Sequence, residues 1–317
     1  MNILVTGGTG FIGRWVVKRL IEDNHNVWIL DNLSNSSIDN IKEFQVNYPK
    51  IFFIKGSITN LPLLETLFTN KFDICYHLAA SINVQDSIDN PKTTFENDVI
   101  GTFNLLEQCR HSNTKFVYMS TCMVYSRALD EEGISENHST CPTSPYAAAK
   151  LAGEQLALSF YYAYGLPVTI LRPFNTYGPY QKQNSEGGVI SIFINKKLMN
   201  KPLKVYGSGK QTRDFLYVTD CANFVVAAGY SSRTEGKVLN AGSGSDISIT
   251  DLAKMIAGED GSIKYIPHIH PQSEIKKLLC NSKLAEKTLC WKPEVSLIEG
   301  ITKTEEFLKN KLLLEGI

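Results

Sequence analysis

The chain lacks an excess of charge of either sign: 32 Lys and Arg stand against 32 Asp and Glu in 317 residues. That balance removes the electrostatic reason to expect a nucleic-acid or anionic-membrane partner. No apolar run reaches the ~18 residues of a membrane span, and the first residues are a strand rather than the basic stretch and apolar run of an export signal. Cysteine is sparse and unpaired in pattern. Cys75, Cys109, Cys122, Cys141, Cys221, Cys280 and Cys290 include no Cys-x-x-Cys spacing, so zinc ribbons and dithiol redox sites are excluded and a reduced, cytoplasmic protein is expected. His268 and His270 have no Cys or carboxylate partner at ligand spacing, and no metal site is expected. Internal repeats and low-complexity tracts are absent as well.

What is present begins at Thr6-Gly7-Gly8-Thr9-Gly10-Phe11-Ile12-Gly13. Ile3, Leu4 and Val5 before it make a short buried strand, and Phe11, Ile12, Trp15, Val16, Leu20 and Ile21 after it recur at helical spacing. In that setting the glycines have distinct uses. Gly7 lets the chain turn, Gly10 lets backbone approach a pyrophosphate, and Gly13 lets the helix pack close to the strand with its positive end toward the anion. Val27 to Leu30 form a second strand ending in Asp31, 18 residues past Gly13. A carboxylate there accepts hydrogen bonds from ribose hydroxyls and repels a 2′-phosphate, so NAD is expected rather than NADP.

Apolar strands then alternate with helical patterns: Ile51 to Ile54, Ile74 to Leu78, Phe116 to Met119 and Val168 to Leu171. This alternation predicts an α/β fold, a Rossmann-type doubly wound parallel sheet with right-handed crossovers. After Arg172-Pro173 the texture changes to loops and shorter elements such as Leu203 to Tyr206 and Val238 to Ala241. A boundary near 174 is therefore expected, with a dinucleotide-binding domain over 1–174 and a smaller α/β substrate domain over 175–317, of which about 213–240 can pack back on the first. Ligand would lie between them at the carboxyl ends of the strands.

A second motif, Pro145-Tyr146-Ala147-Ala148-Ala149-Lys150, opens a helix predicted to reach about Tyr164. Its spacing of four places a phenol and an ammonium one turn apart on one face. An ammonium beside a phenol favours the phenolate, a device for taking a proton from an alcohol.

With these motifs the chain resembles, along essentially its whole length, the extended short-chain dehydrogenase/reductases of the nucleotide-sugar epimerase/dehydratase family. Further motifs that carry the resemblance are Asp31-Asn32-Leu33-Ser34, His77-Leu78-Ala79-Ala80, Gly101 to Glu107, Ser120-Thr121, Arg172 to Pro179, Val205 to Gly209 and Arg213-Asp214-Phe215. The resemblance implies a cofactor site made of Gly7, Gly10, Phe11, Ile12, Gly13, Asp31, Asn32, Ser57, Ile58, Leu78, Ala79, Ala80, Pro173, Tyr146 and Lys150. It implies that Thr121 bonds the sugar hydroxyl being oxidised, that Asn175 and Arg213 hold a nucleotide diphosphate, that Val205 and Tyr206 lie against the base, and that Gly188 and Val189 line the same site. Arg213 offers a bidentate fork for phosphate. Oxidation at C4 with transfer of hydride to NAD is the shared opening step.

Departures from the family pattern direct the choice among outcomes. Dehydratases usually carry Asp-Glu after the Thr, whereas this chain has Cys122-Met123, and methionine has no proton to give or take. A 4-epimerase is therefore the leading expectation, a 4,6- or 5,6-dehydratase using Cys122 as acid or base is the alternative, and a non-catalytic nucleotide-binding protein is a third class. Cys122 reads equally as a small apolar residue in the cleft wall. Ser57 stands in place of an Asp, Asp98 in place of a helix Asn, and Pro271 in place of a second diphosphate-binding Arg. Apolar residues in Thr93 to His111 and Tyr146 to Tyr164 predict a homodimer through a four-helix interface.

Overall fold

The computed structural model describes residues 1–126, 133–182, 188–259, 261–267 and 275–314. The apolar runs fold as β1 (Asn2–Thr6), β2 (Asn26–Asp31), β3 (Ile51–Lys55), β4 (Ile74–His77), β5 (Lys115–Met119) and β6 (Val168–Pro173). After them come β7 (Asn175–Tyr177), β8 (Leu203–Tyr206), β9 (Thr212–Tyr217), β10 (Lys237–Ala241), β11 (Asp246–Ser248), β12 (Ile263–Ile266) and β13 (Lys277–Leu278). Seven strands pair in parallel in the order β10-β6-β5-β4-β1-β2-β3. The order turns back between β1 and β4, the position at which an open α/β sheet forms its ligand crevice.

Strand periodicity divides the core. Ile3 and Val5 enter a cluster under the Phe11–Glu22 helix, while Leu4 enters a cluster under the Gly101–Ser112 and Pro145–Tyr164 helices. The sheet is thus covered on both faces, as a parallel sheet requires. β9 forms a second sheet with antiparallel β11 and parallel β13 and β7, and β8 pairs with β12. The Val189–Leu198, Ile249–Ala257 and Leu297–Leu314 helices bury a third apolar cluster against these strands. In the last helix Gly300, Ile301, Thr304 and Leu308 are the buried positions, the one-faced pattern of a surface helix.

The chain crosses back after β9. The Val218–Tyr230 helix places Cys221, Phe224, Val225 and Ala228 in the same cluster as Ile3 and Val17, and β10 extends the main sheet beside β6. Ala285 and Trp291 join that cluster from still later in the chain. One local departure from regular helix lies in the segment leading to Gly101. Pro91–Phe95 is α-helical, Glu96–Ile100 widens to a π-turn, and Gly101–Ser112 resumes the α-helix. Among the described residues no helix is long and apolar enough to cross a membrane.

Phe224 is fully buried, with its ring 5.1 Å from that of Trp291. Because the returning helix shares the core of the main sheet, Phe224→Ala is expected to lower the unfolding free energy of the whole main sheet by about 3–5 kcal/mol. Urea denaturation followed by Trp fluorescence and far-ultraviolet dichroism measures this; an unchanged midpoint would separate that helix from the core.

Candidate active site

The glycine loop is built by close approach. Gly7 has φ of +71°, and a Cβ on it would lie 2.7 Å from the Ala79 nitrogen; a Cβ on Gly13 would lie 2.1 Å from the Gly7 carbonyl oxygen. Side chains larger than hydrogen are therefore excluded at both places. Gly10 caps the helix, so its N-terminus meets the cleft as bare backbone. Phe11 and Ile12 are half-buried in the first turn.

Asp31 ends β2 with its carboxylate turned to this loop. Oδ2 accepts from the Thr9 N–H at 3.1 Å, and Oδ1 from the Leu33 N–H at 2.9 Å and the Ser36 hydroxyl at 3.1 Å. Asn32 caps the adjoining turn through Ser34 N–H. Ser57 follows β3 and bonds Thr59, whereas Ile58 turns inward against Gly101 and its carbonyl accepts from Asn104. Leu78, Ala79 and Ala80 follow β4, with the Ala79 N–H directed at the Thr6 hydroxyl. Pro173 closes β6 opposite Ala241. Every one of these segments leaves the same carboxyl edge of the sheet. The residues present fit a dinucleotide: a bare helix N-terminus beside a backbone cradle that a Cβ would fill, and a carboxylate at the second strand.

Thr121 follows β5 in extended conformation, and its Oγ1 accepts from the Met123 N–H at 3.2 Å. The Pro145–Tyr164 helix starts at a Ser144 cap and brings the Tyr146 phenol near enough to Thr121 for the two side chains to interact. Lys150 is buried one turn on, and its amine donates to the Met119 carbonyl at 2.9 Å. Its partner is therefore the end of β5 rather than the phenol. Burial pushes the Tyr146 phenol above its ordinary value, and Asp98 pushes in the same direction while the neighbouring Thr121 opposes both. The lowering expected from the Tyr-x-x-x-Lys spacing is not what the chain's own groups produce. Burial likewise pulls Lys150 down, against Asp98 and Glu154.

Glu154 is a member of this row that the sequence reading missed. It lies four residues beyond Lys150, is fully buried, and pairs with Arg172, whose Nε donates to Oε1 at 2.8 Å; Ser120 and the Arg172 Nη2 complete the arrangement. The Arg172 guanidinium also lies 4.6 Å from the Tyr125 ring, and Tyr125 donates to Asn240. A charge inside the apolar run Val168–Pro173 and an acid on the same helix face as Tyr146 and Lys150 were the available signals.

Beside Thr121 lies an apolar cluster of Cys122, Val124, Tyr125, Ile134, Phe174, Ile275, Leu278 and Cys280, with Met123 packed against it. Thr121 precedes one of its members and Asn175 follows another, while Arg213 donates to the Ile275 carbonyl at 2.7 Å. These three residues are thereby brought to one wall. Asn175 donates to the Asp214 carbonyl, and the buried Asp214 carboxylate collects the N–H groups of Ser243, Gly244 and Cys280 and the Ser243 hydroxyl. Gly188 caps the helix that begins with half-buried Val189. β8 alternates, so Val205 points into the core and Tyr206 outward; only the latter presents its side chain. Cys122 is buried and its thiol is pushed up to about 12, chiefly by desolvation with Asp214 adding to it and Arg213 opposing. The 268–274 stretch with His268, His270 and Pro271 lies outside the described residues.

Residues 3–242 match the model of the NAD dependent epimerase/dehydratase family. The chain is 37% identical over 310 residues to a putative UDP-glucose 4-epimerase of Methanocaldococcus jannaschii, covering 97% of this chain and 98% of that one. It is similar to the X-ray structure of Pal from Bacillus thuringiensis, with TM-score 0.96, 60% identity and coverage of 98% and 100%. The UDP-glucose 4-epimerase of Thermotoga maritima, solved with UDP-glucose, matches at TM-score 0.92 and 32% identity over 98% and 100% of the two chains.

Replacing Glu154 by Gln leaves the buried Arg172 guanidinium without its counter-charge. Glu154→Gln is expected to cost about 3–5 kcal/mol of stability, read as a lowered urea midpoint at unchanged slope; a midpoint equal to the parent's would remove the pair from the site's support.

Proposed function

The chain belongs to the NAD-dependent epimerase/dehydratase family, and from that premise we propose that it is a nucleotide-sugar 4-epimerase working through a 4-keto sugar. The chain is an NAD-dependent nucleotide-sugar epimerase or dehydratase; the observation that favours epimerisation is the state of the residues after Thr121. Cys122 sits in an apolar cluster with its thiol near 12, and Met123 has no titratable group. Met123 therefore supplies no base for the proton that loss of water removes. Epimerisation asks only for one proton acceptor and a carbon whose hydride is removed and restored.

In this reading Arg213 and Asn175 grip the diphosphate, and the Thr121 hydroxyl orients the 4-OH toward Tyr146. Tyr146 takes the hydroxyl proton and later returns it. Lys150, fixed on Met119, keeps positive charge beside that exchange. The chemistry that NAD supplies when bound is reversible hydride acceptance from C4, together with a pyridinium charge that favours the phenolate. No net cofactor is consumed, and the sugar keeps its mass. Phe95, Ile100, Phe103, Tyr162 and Tyr164 are exposed on the two helical segments expected to pair, which supports a homodimer.

Two measurements test the reading. Incubation with UDP-, dTDP-, CDP- and GDP-hexoses is expected to give a product of unchanged mass, and one lighter by water, about 18 mass units, would transfer the assignment to the dehydratases. Tyr146→Phe is expected to lower kcat by about 10²–10⁴ with little change in KM; full activity in that variant would end the proposal.

A further inference from the structure

Thr121 and Tyr146 come from different elements, so their separation is set by whatever joins the end of β5 to the Pro145–Tyr164 helix. Three consecutive residues of the strand end bond that helix. The Tyr118 hydroxyl donates to the Lys150 carbonyl at 3.3 Å, the Lys150 amine donates to the Met119 carbonyl at 2.9 Å, and the Ser120 hydroxyl donates to the Glu154 carboxylate. The helix also lies hard against the strand end, since a Cβ on Gly153 would stand 2.2 Å from the Tyr118 phenol oxygen.

The three bonds differ in stiffness. The amine of Lys150 ends a flexible four-carbon stem that can follow a moving carbonyl, and the Tyr118 bond is long. Ser120 reaches its partner on a single carbon, and that partner is a charge, which makes the bond a strong one. Glu154 is itself immobilised by two bonds from Arg172 of β6. Ser120 is held from the other side as well, its N–H donating to the Leu171 carbonyl of β6 at 2.7 Å. Only 3% of its surface is exposed, so its hydroxyl serves no ligand in the cleft. Fixed at both its N–H and its hydroxyl, it hands the chain on to half-buried Thr121 in a set direction.

We propose that Ser120 is a positioning residue, whose bond to Glu154 fixes where the Thr121 hydroxyl stands relative to Tyr146. The proposal rests on the reading of Thr121 as the group that orients the sugar hydroxyl. Loss of the bond leaves the strand end joined to the helix by its two looser contacts. Thr121 then drifts while Arg213 and Asn175, on other elements, keep their places. Misplacement of a group that acts on the reacting atoms lowers kcat, and intact grips elsewhere hold KM.

The test is Ser120→Ala in NAD-loaded protein. This variant leaves Glu154 both of its bonds to Arg172, so no buried charge is orphaned. Reduction of the bound NAD is followed by absorbance after mixing with each nucleotide hexose of the panel above that reduces it in the parent. The rate at saturation is expected to fall by at least about tenfold, with KM within about twofold of the parent. In a Thr121→Val background the same substitution is expected to have no further effect, because nothing is left for Ser120 to position. A parent rate in S120A, or an equal loss in both backgrounds, would overturn the proposal; a merely structural Ser120 lowers the urea midpoint and slows both backgrounds alike. Crystal structures of the NAD-loaded parent and S120A give a readout that needs no turnover. Displacement of Thr121 Oγ1 by about 1 Å supports the proposal, and an unmoved Thr121 overturns it. Hydride removal opens epimerisation and loss of water alike, so a dehydrated product would end the epimerase assignment and leave this test standing. The Thr121→Val rate alone reports whether Thr121 bears on the chemistry at all.

Discussion

The cleft depends on three backbone segments meeting with no side chain between them. The turn after β1, the turn after β4 and the start of the first helix touch at Gly7, Ala79 and Gly13, closely enough that a methyl group at either glycine would overlap backbone. Backbone cannot yield as a flexible side chain can, so the floor of the cleft is fixed to within a few tenths of an ångström. The same turn continues through Ser81 to Asp98. The turn after β4 is thereby joined by one hydrogen bond to the π-turn that carries Asp98.

A row of buried charges alternates in sign. Asp98, Lys150, Glu154 and Arg172 are all buried and come from three elements. Each charge alone would be expensive in the interior, and alternation offsets part of that expense through favourable neighbours. The arrangement also explains why Lys150 leaves Tyr146 to itself. The ammonium is held by the Met119 carbonyl and so is turned to the end of β5 rather than to the phenol.

Local rules read the parts of this molecule whose determinants are local. Periods of two and 3.6 located β1 to β6 and the helices between them, and glycine spacing located the cradle, because those signals are written within a few residues of the element concerned. The return of the Val218–Tyr230 helix and β10 to the main sheet, expected as a segment over about 213–240 that can pack back, has its partners elsewhere in the chain. Hydrophobicity says that Phe224 and Leu239 are buried, not what buries them; the partners are Ile3, Val17 and others some 200 residues away. Lys150 shows the same limit at the scale of one bond. Helical spacing offers Tyr146 at four residues, but the Met119 carbonyl, 31 residues distant, takes the amine. For Val205 the alternation of β8 decides, turning inward a side chain that motif position alone had placed at the base.

The substrate wall makes a division of labour that bears on the proposed outcome. In the proposed reading its polar groups are at the ends, Arg213 and Asn175 on one side and Thr121 with Tyr146 on the other, and between them lies Met123, backed by buried Cys122 and Phe174. A sugar held by polar groups all round its ring would be fixed on one face by the hydrogen bonds it would have to break. Apolar contact is non-directional and is kept in either orientation, and a methionine side chain adapts its shape to both. A ring whose carbonyl must accept hydride on the face opposite to the one that lost it needs that freedom. In the proposed reading the methionine that takes the place of the usual base of water loss therefore also offers an adaptable apolar face to the turning ring, and both effects of Met123 favour the same reaction.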